Sequence, residues 1–374
     1  MKKKLNIALF SPNKNPYSET FIQAHKNFLR GNVFYYYGIG ENIALEKYPP
    51  LVKQFKRYIL KAIKIILKKD NSFLLEQILT KSLKINDIDV VLVEYGIHAH
   101  HILPAIEKTK LPLIVHFHGF DATVREIIKE HNNYKEVFKY ASKVIAVSRA
   151  MEQQLLDLGC SRDKLVYNAN AAQVEFQELK PKFSKEQFVF VGRFSNKKAP
   201  YYAILAFKNV LKKYPKAKLF MCGDGPLFEM CKNLVKHYKL ENSVIFLGVI
   251  SSKELRKLLS ESLGYIQHSI TASNGDMEGM PISVLEASAA GLPVVSTYHA
   301  GISDVIEHGV TGLLSEEHDV LNMEQNLLKL LDNVEYARKL GLAGKERVKS
   351  YFSLDRHING IQHLLESSVK VEKG

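Results

Sequence analysis

The chain has 374 residues, too many for one ordinary hydrophobic core and enough for two. Hydrophobic residues make up 46% and charged residues 24%, the balance of a soluble globular protein, and no run approaches the ~20 consecutive apolar residues of a membrane-spanning helix. The formal net charge of +13 is uneven: the first 175 residues hold 26 Lys and Arg against 17 Asp and Glu, the remainder 26 against 22. A basic face of this kind suits nucleic acid, anionic lipid or phosphorylated substrates.

The chain opens on Met1-Lys2-Lys3-Lys4, but the apolar run that follows ends at Phe10 and is too short for a signal sequence. It reads as a first strand, and the protein is expected in the cytoplasm. In the first half, β-rich runs at 5–10, 33–37, 90–94, 113–117 and 144–147 alternate with helical stretches. The second half repeats the alternation, with strands at 188–191, 217–222, 244–247, 264–267 and 293–296 and helices at 200–214, 226–238 and 320–331. The strand runs are continuously apolar, as strands covered on both faces should be, and the alternation predicts parallel sheets with right-handed crossovers. The polar stretch 168–185 breaks the series. The expected division is therefore 1–175, 176–352 and a terminal helix within 353–374 that returns toward the first domain. Cys160, Cys222 and Cys231 are odd in number and lack CxxC spacing, so free, mostly buried thiols are expected.

In open parallel sheets, ligands gather at the C-terminal ends of strands. No GxGxxG follows any predicted strand, which argues against a dehydrogenase-type dinucleotide site. The densest constellation runs from Glu278-Gly279-Met280-Pro281-Ile282 to Glu286. Pro281 suits the first turn of a helix, and Gly279 lets backbone approach a ligand. The helix N-terminus offers N–H groups and partial positive charge to a diphosphate. Pro281 and Glu286 are about 7.5 Å apart along such a helix. The two glutamates therefore bracket an elongated ligand better than they grip one atom. A capped helix with two surface glutamates is the alternative. Gly192-Arg193-Phe194-Ser195-Asn196-Lys197-Lys198-Ala199-Pro200 follows a strand and enters a helix. Arg193 and Lys198 can converge there on a phosphate, with Lys197 expected in solvent; an ordinary basic loop is the alternative. Weaker signals are the turn Gly223-Asp224-Gly225-Pro226, the strand end Gly248-Val249, whose backbone can read a base edge, and His118 with Asp121 after the strand 113–117.

Together these segments resemble the family 4 retaining glycosyltransferases. Glu278 and Glu286 match the family's E-x7-E, Arg193 and Lys198 its Gly-Arg-x4-Lys, and His118-Gly119 its N-domain histidine. Ser18-Glu19-Thr20-Phe21 and Gly275–Gly279 further resemble bacterial exopolysaccharide enzymes of the colanic acid and amylovoran type. The resemblance implies an α/β GT-B architecture, two facing Rossmann-like domains with a central cleft. It implies transfer from a UDP- or GDP-sugar to a glycan or polyprenyl-diphosphate-linked acceptor, with retention and without a metal or other cofactor. In that reading Arg193, Lys198 and the N–H groups around Gly279, Met280, Pro281 and Ile282 face the diphosphate. Glu278 meets the donor sugar, Glu286 the ribose, Gly223 and Val249 the nucleotide, and His118 lies beside the sugar. Two departures stand out. Ser11-Pro12-Asn13 replaces a Gly-Gly loop that many relatives have, leaving Ser18 and Thr20 as candidates on that side. Ala199 stands where glycine often follows the lysine, with little consequence expected.

Asp87-Ile88-Asp89 has the spelling of a metal-binding DxD but precedes its strand and reads as a strand-entry turn; His98, His100 and His101 read as structural or solvated. The stretch 52–69 places Phe55, Ile59, Ala62, Ile63 and Ile66 on one helical face and Lys53, Lys56, Arg57, Lys61, Lys64 and Lys68 around the other. That is the pattern of an interfacial helix on an anionic inner membrane face, or of a core-packed helix with a basic outer side. A sugar-nucleotide epimerase of the same fold is the second enzyme reading. A nucleic-acid-binding protein is not favoured, because no recognised motif or interleaved aromatics accompany the charge.

Overall fold

The computed structural model describes residues 4–14, 19–52, 54–68 and 72–371. They form two compact units: the first holds the residues up to Val147, Met151–Asn168 and those from His357 onward, the second Ser148–Ala150 and Ala169–Arg356. The junction falls at Asn168–Ala169, ahead of the expected 175–176. The reason is that the polar stretch is not wholly linker: its short helix Val174–Gln177 packs on the helix Ile282–Ala290 of the second unit. Asn168 donates its N–H to Ala146 O at 2.9 Å and its side-chain amide to His357 O at 3.1 Å, which ties it to the first unit.

The first unit is a seven-stranded sheet of order β3-β2-β1-β4-β5-β6-β7. The strands are β1 (Asn6–Ser11), β2 (Asn32–Tyr37), β3 (Ala44–Leu45), β4 (Val90–Glu94), β5 (Leu113–Phe117), β6 (Lys143–Ala146) and β7 (Leu165–Tyr167). All pairings are parallel except β2 with β3. The central strands β4 and β5 are buried at every residue, which their unbroken apolar sequence requires. The register sets Glu94 opposite His116. The helix Leu354–Val371 contributes its residues from His357 to this unit.

The second unit is a six-stranded, wholly parallel sheet of order β10-β9-β8-β11-β12-β13. Its strands are β8 (Gln187–Val191), β9 (Lys218–Cys222), β10 (Val244–Gly248), β11 (Gly264–Ile266), β12 (Val294–Thr297) and β13 (Gly312–Ser315). In each sheet the winding reverses once, between β1 and β4 and between β8 and β11. Those two crevices are where such sheets bind ligands. Three strands lie outside the sequence expectation: β3 and β7 are only two and three residues long, and β13, Gly-Leu-Leu-Ser, lacks the β-branched or aromatic residues that mark the predicted strands. All three cysteines are free and buried.

Asp87 and Asp89 sit at the entry to β1 and β4, Asp89 bonding through its carboxylate and Asp87 through its backbone carbonyl. Asp89 accepts the Asn6 N–H at 2.9 Å, and Asp87 O accepts the Asn6 side-chain amide at 2.8 Å.

Candidate active site

The reversal at β8 and β11 brings residues 80 apart in sequence into contact. β8 delivers the 192–199 loop, β11 the 267–281 loop, and Lys198 Nζ meets Glu278 Oε1 at 2.8 Å. Both side chains are largely buried, 13% and 7% exposed. Burial alone would raise the Glu278 carboxyl, but the charges of Lys198 and then Lys197 outweigh it and hold it down to about 2. Lys197 is not in solvent as expected. It reaches back to Asp276 Oδ1 at 2.9 Å and Met277 O at 3.2 Å, pinning the acidic loop just ahead of Glu278. Arg193 is the exposed cation of the group.

The turn 223–225 is what shapes the Arg193 loop. Gly223 has φ +126, and a Cβ there would lie 2.0 Å from Gly192 O, so any side chain would push the loop away. Phe194 N–H donates to Asp224 O at 2.9 Å while its ring is buried against Phe190, Phe228 and Phe246. Gly223 N–H in turn donates to Gly248 O at 2.7 Å, which ties the end of β10 into the same assembly, with Val249 exposed beyond it. Ala199 is left-handed (φ +34, ψ +55). A Cβ in that region costs roughly 1–2 kcal/mol, so the absence of glycine has a consequence after all.

Pro281 is the N-cap of the helix Ile282–Ala290 rather than its first residue, with ψ 117. The N–H groups of Ile282 and Ser283 have no acceptor within the helix, and no side chain caps it. The segment before it is set by close approach, since a Cβ on Gly301 would lie 2.1 Å from Gly279 O. Glu278 N–H donates to His299 Nε2 at 3.1 Å, and His299 Nδ1 lies 2.6 Å from Glu317 Oε1. Beneath the helix tip, Tyr265 OH contacts Gln267 Oε1 at 2.8 Å and Ser283 Oγ at 2.9 Å. Gln267 donates to Ser269, which lies 3.5 Å from Glu278. Sequence reasoning missed His299, Glu317 and this polar ladder. The available signal was the alternation of Tyr265, Gln267 and Ser269, which runs three polar groups from β11 into the buried segment that follows it. Glu286 lies within the helix, 8% exposed; burial, with the Glu175 charge behind it, pushes its carboxyl up to about 8.

In the first unit His118 follows β5. Its Nε2 lies 2.7 Å from Glu94 Oε2, and its ring stacks on Phe21 with the edge of Tyr95 against it. Asp121 does not face outward beside it. It is fully buried and accepts the N–H groups of Gly96 at 2.9 Å, His118 at 3.1 Å and Gly119 at 3.0 Å. Thr20 begins the helix Thr20–Phe28 and Ser18 lies outside the described residues. One group of metal-ligating type occurs among the described residues. His25, Glu94 and His116 have ligand atoms within 4.8 Å of one another. The His25–Glu94 separation of 2.6 Å is a hydrogen bond, however. Two ligands on one zinc ion sit ~3.3 Å apart at ~2.0 Å from the metal, so the cluster as built has no room for one. His98 is buried, and burial lowers it to about 3; His100 and His101 lie edge-on to His131.

Solved structures share this fold. Anabaena Alr3699/HepE, in complex with UDP and glucose, superposes with a TM-score of 0.77 at 16% identity, over 97% of this chain and all of the other. Sucrose-phosphate synthase from Thermosynechococcus elongatus gives 0.75 at 15% identity, over 98% and 100%. The fold is that of the GT-B glycosyltransferases. Residues 43–175 match the model of Glycosyltransferase Family 4 and residues 172–347 that of Glycosyl transferases group 1. The two matches together span residues 43–347, and the chain is a glycosyltransferase that resembles family 4. Its relatives include the amylovoran biosynthesis glycosyltransferase AmsK of Erwinia amylovora, 29% identical over 285 residues, 74% of this chain and 70% of that one. Another is the putative colanic acid biosynthesis glycosyltransferase WcaL of Escherichia coli K12, 28% identical over 63% of this chain and 60% of its own length.

Proposed function

We propose that the second unit binds a UDP- or GDP-sugar at the β8–β11 crevice and that the enzyme transfers the sugar, with retention and without a metal, to a glycan or lipid-linked acceptor in surface polysaccharide assembly. The observation that carries this reading is the buried Lys198–Glu278 pair beside an uncapped helix N-terminus. A leaving diphosphate gathers negative charge as the glycosidic bond breaks. Lys198, Arg193 and the N–H groups of Ile282 and Ser283 are fixed donors for that charge, and such preorganisation is worth several kcal/mol away from water. Glu278 takes the sugar hydroxyls, Glu286 the ribose, and the 223–225 turn and Val249 the nucleotide. His118 is assigned to the sugar and acceptor side. No residue is assigned as a nucleophile. The amylovoran and colanic acid relatives support the polysaccharide role, and the UDP complex of the structural neighbour supports a nucleotide-sugar donor.

Thermal shift with a panel of UDP- and GDP-sugars tests the donor site. The matching donor should raise the melting temperature of the wild type. Arg193→Ala, exposed and so without structural cost, should bind that donor roughly 10- to 100-fold more weakly, the worth of a charge-assisted hydrogen bond. Equal affinity would remove Arg193 from the diphosphate site.

The acceptor reading extends to a membrane. No helix among the described residues is long and apolar enough to cross one. The helix Gln54–Ile66 nevertheless turns apolar residues outward, with Ile65 and Ile66 75% and 77% exposed and Tyr58, Ile59 and Leu67 exposed beside them. A core-packed helix would bury these; the side chains of Phe55, Lys56 and Arg57, and all of Lys53, lie outside the description. We infer that this face, with Lys61, Lys64 and Lys68 around it, lies on anionic lipid. The wild type should float with vesicles containing phosphatidylglycerol, and a variant with those three lysines changed to glutamate should stay at the bottom of the gradient. Equal flotation of both would defeat the inference.

A further inference from the structure

The most concentrated unassigned chemistry is the buried group His25, Glu94, His116, His118 and His357. Glu94, at the end of β4, is wholly buried, yet it carries no lysine or arginine partner among the described residues. Its Oε1 lies 2.6 Å from His25 Nδ1 and its Oε2 lies 2.7 Å from His118 Nε2. His25 continues through Nε2 to His357 Nε2 at 2.7 Å, on the terminal helix. Around this chain stand His116 from β5, its Nδ1 3.3 Å from Glu94 but outside hydrogen-bond geometry, Phe21 from the first helix, and Tyr95, whose hydroxyl donates to Glu19 at 2.8 Å.

An ionised carboxylate only accepts, so each ring nitrogen that touches it must carry a proton. Burial would push Glu94 up, but the His25 charge and the polar contacts with His116, His118 and His25 reverse this and hold it well below the carboxylate range. Burial lowers His118, which keeps its ring neutral near pH 7. A neutral ring with its proton on Nε2 has a bare Nδ1. That atom is buried and has no partner among the described residues. A bare lone pair is the less costly group to leave there, and it is an acceptor waiting for a donor such as a sugar hydroxyl.

We propose that Glu94 is a positioning residue for His118: its carboxylate fixes the Nε2–H tautomer and the ring orientation, presents Nδ1 as a hydrogen-bond acceptor to substrate, and is itself anchored through His25 to His357. This rests on the assignment of His118 to the sugar side, and the test separates the two. Tyr95 supports it independently, since its backbone is held at φ +74, a costly conformation for an aromatic residue, while its ring braces His118.

Two-bond 1H–15N spectra of histidine-labelled protein, with His118 assigned from His118→Asn, read the tautomer without any assay. The wild type should show His118 as the Nε2–H form. In Glu94→Gln the amide offers one carbonyl oxygen where the carboxylate offered two, so His118 should move to mixed tautomers. A wild-type His118 protonated on Nδ1 would overturn the proposal even if no variant folded. Turnover is read as nucleoside diphosphate released from whichever UDP- or GDP-sugar stabilises the protein. Glu94→Gln should lower kcat about 10- to 100-fold, as loss of an orienting partner does, with donor affinity held within about 3-fold. If His118→Asn is fully active, the assignment of His118 fails. If His118→Asn is inactive while Glu94→Gln switches tautomer and keeps its kcat, the positioning role fails alone.

Discussion

Glu286→Gln should make the free enzyme more stable and a poorer binder, and the gain in stability should grow with pH. The Glu286 carboxyl is raised by burial, and by the charge of Glu175, to about 8. A group whose folded value lies above its unfolded one contributes fully below the unfolded value, near 4.5, and loses that contribution as pH climbs through the folded one. Between about pH 4.5 and 8 the wild type therefore weakens, by as much as ~5 kcal/mol in the limit, while an amide that cannot ionise is unaffected. The melting temperatures of the two proteins should lie close together at pH 5 and several degrees apart at pH 8.5. On the proposed assignment ribose hydroxyls donate to this carboxyl and favour its ionised form, so nucleotide binding near pH 7 should release a proton. Calorimetry in two buffers of different ionisation enthalpy measures it. Proton release should vanish in the glutamine variant, along with a 10- to 100-fold loss of affinity, the scale of a hydrogen bond to a charged group. A stability difference that ignores pH would mean that Glu286 is not held as described.

Lys198→Met should be among the most destabilising single changes in the second unit. It strands Glu278, 7% exposed, without its nearest cation. Breaking a buried pair on one side costs about 3–5 kcal/mol, whereas removing both partners is often neutral. The double variant Lys198→Met with Glu278→Gln should therefore recover most of the loss in urea unfolding while remaining inactive. Simple additivity of the two single changes would show that they do not interact. Acid gives a second readout. Glu278 sits at about 2, below its unfolded value, so its contribution is present above pH 4.5 and disappears as the pH falls toward 2. Glu278→Gln should flatten acid unfolding across that interval.

The alternating strands, their parallel order and the strand-end loops at 192–199 and 223–225 were legible because each rests on local signals: unbroken apolar runs, glycine turns and a proline at a helix entrance. What escaped were interactions decided by tertiary neighbours. Nothing near Lys197 announces that Asp276 is its partner, so it read as solvated. The left-handed backbone at Ala199 is imposed by the turn into the helix that follows, against the preference of the residue itself. His25, Glu94 and His357 lie on three elements scattered over more than 300 residues, and only the fold makes them neighbours. β13 was missed because a central sheet can recruit a four-residue segment of weak propensity by pairing it with β12.

The order β10-β9-β8-β11 has an evolutionary corollary. The stretch 200–263, roughly a sixth of the chain, is an outboard lobe that meets the Arg193–Lys198 loop through β9 beside β8, through Gly223 and Asp224, and through the rings of Phe228 and Phe246 on Phe194. Substitutions in the rest of that lobe can drift, and with them the preference for one base over another, while the cation and carboxylate on β8 and β11 stay yoked. On the proposed assignment, the contacts to the base and those to the leaving diphosphate thus lie on separate stretches of sequence.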